Sequence, residues 1–108
     1  MSLEAPHVVH PIRSEVVVTV GDNAVLQCLV TGAPGPTVTW FKSDRVVKRS
    51  SRIMFAEAGQ VLVITEVKED DGDKYSCEAS NSEGTLKQST ELYVEPGMGV
   101  NVIESSPP

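Results

Sequence analysis

Asp71-Gly72-Asp73-Lys74-Tyr75-Ser76-Cys77-Glu78-Ala79 is the stretch on which the fold turns. Tyr75, Cys77 and Ala79 take every second position while Lys74, Ser76 and Glu78 fill the gaps, the alternation of a strand with one buried face. Ahead of it, Glu66 to Asp73 carries too many acids to bury a helical face and can make at most one helical turn. The alternation recurs in Ala24-x-Leu26-x-Cys28-x-Val30, in Val38-x-Trp40, and in Val61 to Ile64, where Leu62 and Ile64 share a face. Between these runs stand Gly21-Asp22-Asn23, Thr31 to Pro36, Ser43-Asp44, Ala58-Gly59 and Asn81 to Gly84, all turn chemistry. Short strands punctuated in this way predict an all-β sandwich or barrel, and no stretch shows a convincing amphipathic helix.

The ends read differently. Pro6 to Arg13 holds a first strand interrupted at Pro11, which a sheet edge or a kink tolerates. Residues 1–5 are read as a leader outside the domain, without the basic and apolar regions of a signal peptide. After Val94 the pattern stops, so residues 95–108 are expected to be a linker or a disordered C-terminal tail. The domain therefore spans 6–94.

With 108 residues the chain can bury one core, and two would both be marginal. Its formal net charge of −6 argues against nucleic acid or an anionic membrane as the main partner. No apolar run approaches the roughly 20 residues that cross a bilayer.

Cys28 and Cys77 are the only two cysteines, with Trp40 between them. All three belong inside. If the cysteines lie on facing sheets they can bridge the sandwich with the indole filling the space beside the sulfurs. They can equally persist as buried thiols in a reducing compartment, so they leave the compartment open.

This set resembles the immunoglobulin superfamily, and within it the intermediate or I-set. Cys28, Trp40 and Cys77 carry the resemblance, together with Gly32-x-Pro34-x-Pro36 as the B–C turn and Leu62-x-Ile64-x-x-Val67 as strand E. Asp71-x-Asp73-x-Tyr75-x-Cys77 is similar to the family's Asp-x-Gly-x-Tyr-x-Cys, and Ala79-x-Asn81-x-x-Gly84 to its F–G turn. Asp73 departs from the family's Gly or Ala. The resemblance implies an antiparallel Greek-key β-sandwich with strands A, B, E, D facing A′, G, F, C and C′. It further implies a Cys28–Cys77 disulfide, a core around Trp40, Tyr75, Leu62 and Leu26, and a Tyr75 hydroxyl bonded back to the E–F backbone. Arg52 and Asp71 would form a bidentate ion pair, and Asn81 and Gly84 would shape their turn through tolerance of positive φ. No cofactor is implied.

Other clusters have bland readings. His7 and His10, three apart on an extended strand, point to opposite faces and would need a further ligand to hold a metal. Glu66, Glu69, Asp70, Asp71 and Asp73 lack calcium-loop spacing and read as a solvated acidic loop. Lys42, Arg45, Lys48, Arg49 and Arg52 place five of nine basic residues within eleven positions. Arg52 is expected to be used internally, which leaves Lys42, Arg45, Lys48 and Arg49 as a candidate anion-binding patch for a sulfated glycan or an acidic protein face, or as charges that guard a sheet edge.

The expected function is a non-catalytic recognition and spacer module of an extracellular adhesion protein or receptor ectodomain, with protein partners and homodimerisation through a sheet edge as the interactions to look for. The alternative is an intracellular module of a muscle or cytoskeletal protein, favoured by the lack of an Asn-x-Ser/Thr sequon.

Overall fold

A computed structural model describes residues 2–97, which form ten strands and one short turn of 3-10 helix. The strands are β1 (Glu4–His10), β2 (Glu15–Thr19), β3 (Ala24–Gln27), β4 (Leu29–Ala33), β5 (Thr37–Lys42), β6 (Arg45–Val46), β7 (Ile53–Ala56), β8 (Val61–Ile64), β9 (Asp73–Asn81) and β10 (Gly84–Glu95). The helical turn covers Glu69–Asp71, where the acidic run allowed only one.

One layer is the five-stranded sheet β2-β10-β9-β5-β6, in which β2 lies parallel to β10 and the other pairings are antiparallel. The other layer combines β3-β8-β7 with the β1-β4 pair. In I-set terms β1 is A, β2 is A′, β3 and β4 together are B, and β5 to β10 follow as C, C′, D, E, F and G. The layering matches the expected A, B, E, D against A′, G, F, C, C′.

Strand B is split at Cys28, and the sequence does not announce the split. The Cys28 amide donates to the Gln60 carbonyl (2.7 Å), and the Gln60 side chain then pairs with Val30, accepting from its amide (3.3 Å) and donating to its carbonyl (2.9 Å). One side-chain amide thus replaces a rung of the ladder beyond the end of β8.

The alternating positions meet between the layers. Ala24, Leu26, Cys28 and Val30 from strand B, Leu62 and Ile64 from β8, Trp40 from β5, Tyr75, Cys77 and Ala79 from β9, and Leu92 from β10 form one buried cluster. Cys28 and Cys77 are joined across it, with Cα atoms 6.4 Å apart. Trp40 is the register partner of Cys77 and is 1% exposed, and its indole N–H donates to the Gly59 carbonyl (2.8 Å) in the β7–β8 turn. That turn needs three successive positive φ angles, at Glu57, Ala58 and Gly59.

Two expectations change at the F–G end. Neither Asn81 nor Gly84 is among the residues with positive φ. Asn81 acts through its side chain instead, donating to the carbonyls of Glu4 and Pro34 (2.8 Å each) and accepting from the Glu83 amide (2.8 Å). Gly84 sits at a close approach, since a Cβ there would stand 3.3 Å from that of Ala5, tighter than most Cβ contacts. The first strand also starts earlier than Pro6: Glu4 pairs with Ala33, so part of the stretch read as a leader belongs to the sandwich. The expected tail falls largely on residues 98–108, outside the described residues.

The chain therefore comes in beside the B–C and F–G turns. It leaves at the opposite pole, where Val20 donates to the Glu95 carbonyl (2.8 Å) and Gly21 to that of Val67 (2.8 Å).

Candidate functional site

The ion pair found among the described residues, Arg52–Asp71, lies at the pole near the β8–β9 connection. Asp71 closes the 3-10 turn and is buried there, accepting from the Lys68 amide through Oδ2 (2.7 Å). Arg52, just before β7, meets it in a fork: Nη1 to Oδ2 at 2.9 Å and Nη2 to Oδ1 at 3.1 Å. The same guanidinium donates to the carbonyls of Thr65 (3.0 Å) and Glu66 (3.2 Å), tying β7, β8 and the turn together. Tyr75 completes the corner from β9, its hydroxyl donating to the Asp71 carbonyl (2.6 Å). Burial, then the negative charges of Asp71 and Asp73, push its pKa up and keep the hydroxyl protonated.

Burial by itself would raise the Asp71 pKa, but hydrogen bonds from Arg52 and the Lys68 amide, with the Arg52 charge, outweigh it and hold the carboxyl below the usual range. Asp73 is held down as well, by the Ser43 hydroxyl (2.8 Å) and the Lys74 amide (2.6 Å). Here the departure from the family's Gly or Ala has a local use, because Asp73 anchors the β5–β6 turn, where Ser43 takes a φ of 53°.

Depressed carboxyl pKa values fix the sign of the pH dependence. Their contribution is fully present above the unfolded value near pH 4 and is lost as the pH falls through the lower folded values. Urea midpoints should drop on acidification below about pH 4. Asp71→Asn should lower stability at pH 7 by about 1–2 kcal/mol, since a hydrogen bond to a charged group is weakened, and should make the acid loss shallower. An unchanged acid slope in that variant would show that Asp71 is not the group being protonated.

The basic cluster begins where β5 ends. Lys42 and Arg45 are register partners across the Ser43-Asp44 turn, and Val47 returns to the sheet by donating to the Trp40 carbonyl (2.8 Å). Between this hairpin and the start of β7 lies a cleft of about 260 Å³. Lys42, Arg45 and Lys48 line it as cations, with Val47, Ile53 and Tyr75 among the remaining walls. The four candidate residues do not form one equivalent patch: Arg49 is exposed but is not part of the cleft wall, and the Lys42 ammonium already donates to the Asp70 carbonyl (2.6 Å).

The remaining titratable clusters are simpler. His7 and His10 lie exposed on β1, where a bulge between Val8 and His10 breaks the strict alternation. Among the described residues no group of three or more His, Cys, Asp or Glu side chains is placed to hold a metal. No helix among them is long and apolar enough to cross a membrane.

Comparison with known proteins follows this geometry. A family model described as the immunoglobulin I-set domain matches residues 6–94. Human leucine-rich repeats and immunoglobulin-like domains protein 1 is 40% identical over 97 residues, covering 90% of this chain and 9% of that protein. The Caenorhabditis elegans muscle M-line assembly protein unc-89 is 39% identical over 95 residues, covering 85% of this chain and 1% of its own length. The chain thus spans a small part of each of these relatives. Among solved structures, a complex of titin M10 with an obscurin-like 1 Ig domain superposes with a TM-score of 0.81 at 29% identity, covering 87% of this chain and 97% of the matched one.

Proposed function

Because the chain belongs to the immunoglobulin I-set family, we propose that it is a non-catalytic recognition and spacer module of a multidomain extracellular protein, an adhesion protein or receptor ectodomain. One observation carries the reading: the buried cysteines, carboxylate and phenol are committed to holding the sandwich, which leaves only the lone hydroxyls of Ser76 and Thr90 among the buried polar side chains of the described residues. Cys28 and Cys77 are bonded to each other, Asp71 is held by Arg52, and the Tyr75 hydroxyl is spent on a carbonyl. What is left for interaction is the outer surface and the turns, and protein partners suit such a surface. The titin M10–obscurin-like 1 Ig structure, a complex between two proteins, supports protein recognition as the class of activity.

The disulfide favours the extracellular compartment over the cytosol, where thiols are kept reduced. The second reading is an intracellular module of a muscle or cytoskeletal protein, supported by the likeness to the M-line assembly protein. Thiol counting separates them. Protein trapped with an alkylating agent as it leaves its native compartment should show no reactive thiol after denaturation. Two alkylated cysteines per chain would overturn the extracellular reading in favour of the cytoskeletal one.

A further inference from the structure

We propose that the cleft between the β5–β6 hairpin and the start of β7 docks an acidic peptide segment that carries an apolar side chain between its carboxylates. The inference rests on the recognition-module reading and supplies the chemical class of the partner.

Charge is the first argument. The chain is acidic overall, yet Lys42, Arg45 and Lys48 converge on this one wall. Lys42 and Arg45 stand directly opposite across the hairpin, a like-charge pairing that destabilises a sheet. Asp71 and Asp73 offset the Lys42 charge in part, but neither Arg45 nor Lys48 has an ion-pair partner among the described residues, where Arg52–Asp71 is the ion pair found. Asp71 borders the cleft, but both of its oxygens are already taken by Arg52, and Asp44 at the hairpin tip is not part of the wall. A bound carboxylate would relieve the repulsion.

The floor is the second argument. Val47 and Ile53 are half-buried there and Val46, also in the wall, is 51% exposed, so apolar surface lies beside the cations. Sulfated glycans present anions without an apolar side chain to cover that floor; an acidic peptide presents both. The third argument is the edge. β6 is two residues long and ends the sheet, bonded to β5 on one side, so its free backbone can pair with an extended peptide running past the cations.

Fluorescence anisotropy with a short labelled peptide, in which glutamate pairs flank single leucines, tests this on the whole chain. Binding is expected, weakening by tenfold or more between about 0.1 and 1 M salt, where the screening length shrinks from roughly 10 to 3 Å. Replacing the leucines by serine should weaken it by about tenfold, the equivalent of 1.4 kcal/mol of apolar burial. Arg45→Glu with Lys48→Glu should abolish binding, whereas Arg49→Glu, off the cleft wall, should change it by less than about threefold. All three positions are exposed, and a thermal midpoint confirms folding; Arg45→Gln with Lys48→Gln repeats the test if charge reversal disturbs it. Absence of peptide binding, equal affinity for the serine peptide, or equal losses for Arg49→Glu and the cleft variants would each overturn the proposal. Retention of a heparin oligosaccharide in place of the peptide would overturn the peptide and identify a glycan site. Thiol counting does not involve this cleft, so the compartment reading and the cleft can each fail alone.

Discussion

Trp40→Ala should remove about 3–5 kcal/mol of stability, a large share of the 5–15 kcal/mol on which a domain of this size rests. Two losses add. The indole is one of the largest side chains in a cluster that contains both sulfurs, and truncation leaves a cavity that the flanking strands cannot close without breaking the register between Trp40 and Cys77. It also strips the Gly59 carbonyl of its donor, in a turn already held at three positive φ angles. Urea unfolding of Trp40→Phe separates the two. A phenyl ring there keeps most of the packing and forfeits the N–H with the smaller ring of the indole, for a cost of about 1–3 kcal/mol. If alanine proved no worse than phenylalanine, burial of the ring would not be what holds the layers together.

Cys28→Ala with Cys77→Ala is expected to cost at least about 4 kcal/mol, since a cross-link between residues 49 apart removes loop-closure entropy of that size from the unfolded chain. Chemical reduction of the unaltered chain is the informative comparison. It severs the cross-link and leaves two small apolar side chains at buried positions, so its cost isolates the constraint on the unfolded state. The alanine pair adds missing sulfur volume on both sides of the core and should be the less stable of the two. Guanidinium titrations of the three forms, with slopes compared, measure this. A reduced form as stable as the bonded one would assign the core's stability to packing alone and make the fold equally suited to a reducing compartment.

Residues whose role is burial on a strand were legible before any coordinates, because parity alone decides whether such a side chain faces the core. Leu26, Cys28, Leu62, Ile64, Tyr75 and Cys77 obey it, whereas Ser76 and Val61 are buried at positions where the alternation predicts an outward side chain. The corner of Arg52, Asp71 and Tyr75 needed the family resemblance, since nothing local tells a guanidinium that its partner lies 19 positions away. Other contacts were hidden because they join segments remote in sequence through single polar atoms. Asn81 reaches back 77 positions to Glu4, Gln60 reaches 30 to Val30, and Ser43 and Asp73 meet 30 apart. Composition revealed the basic run from Lys42 to Arg52 but not its division: Arg52 turns inward, Lys42 is drawn to a carbonyl, and Arg49 stands clear of the cleft.

Entry and exit at opposite poles carry a mechanical meaning. The last strand alone, twelve residues at roughly 3.4 Å each, runs about 40 Å. If further units are joined through such ends, as the proposed spacer role requires, each adds up to its own height to the reach of the chain. Tension applied at the two ends would load the body along its strands, with the sheets and the sulfur bridge placed between the points of pull.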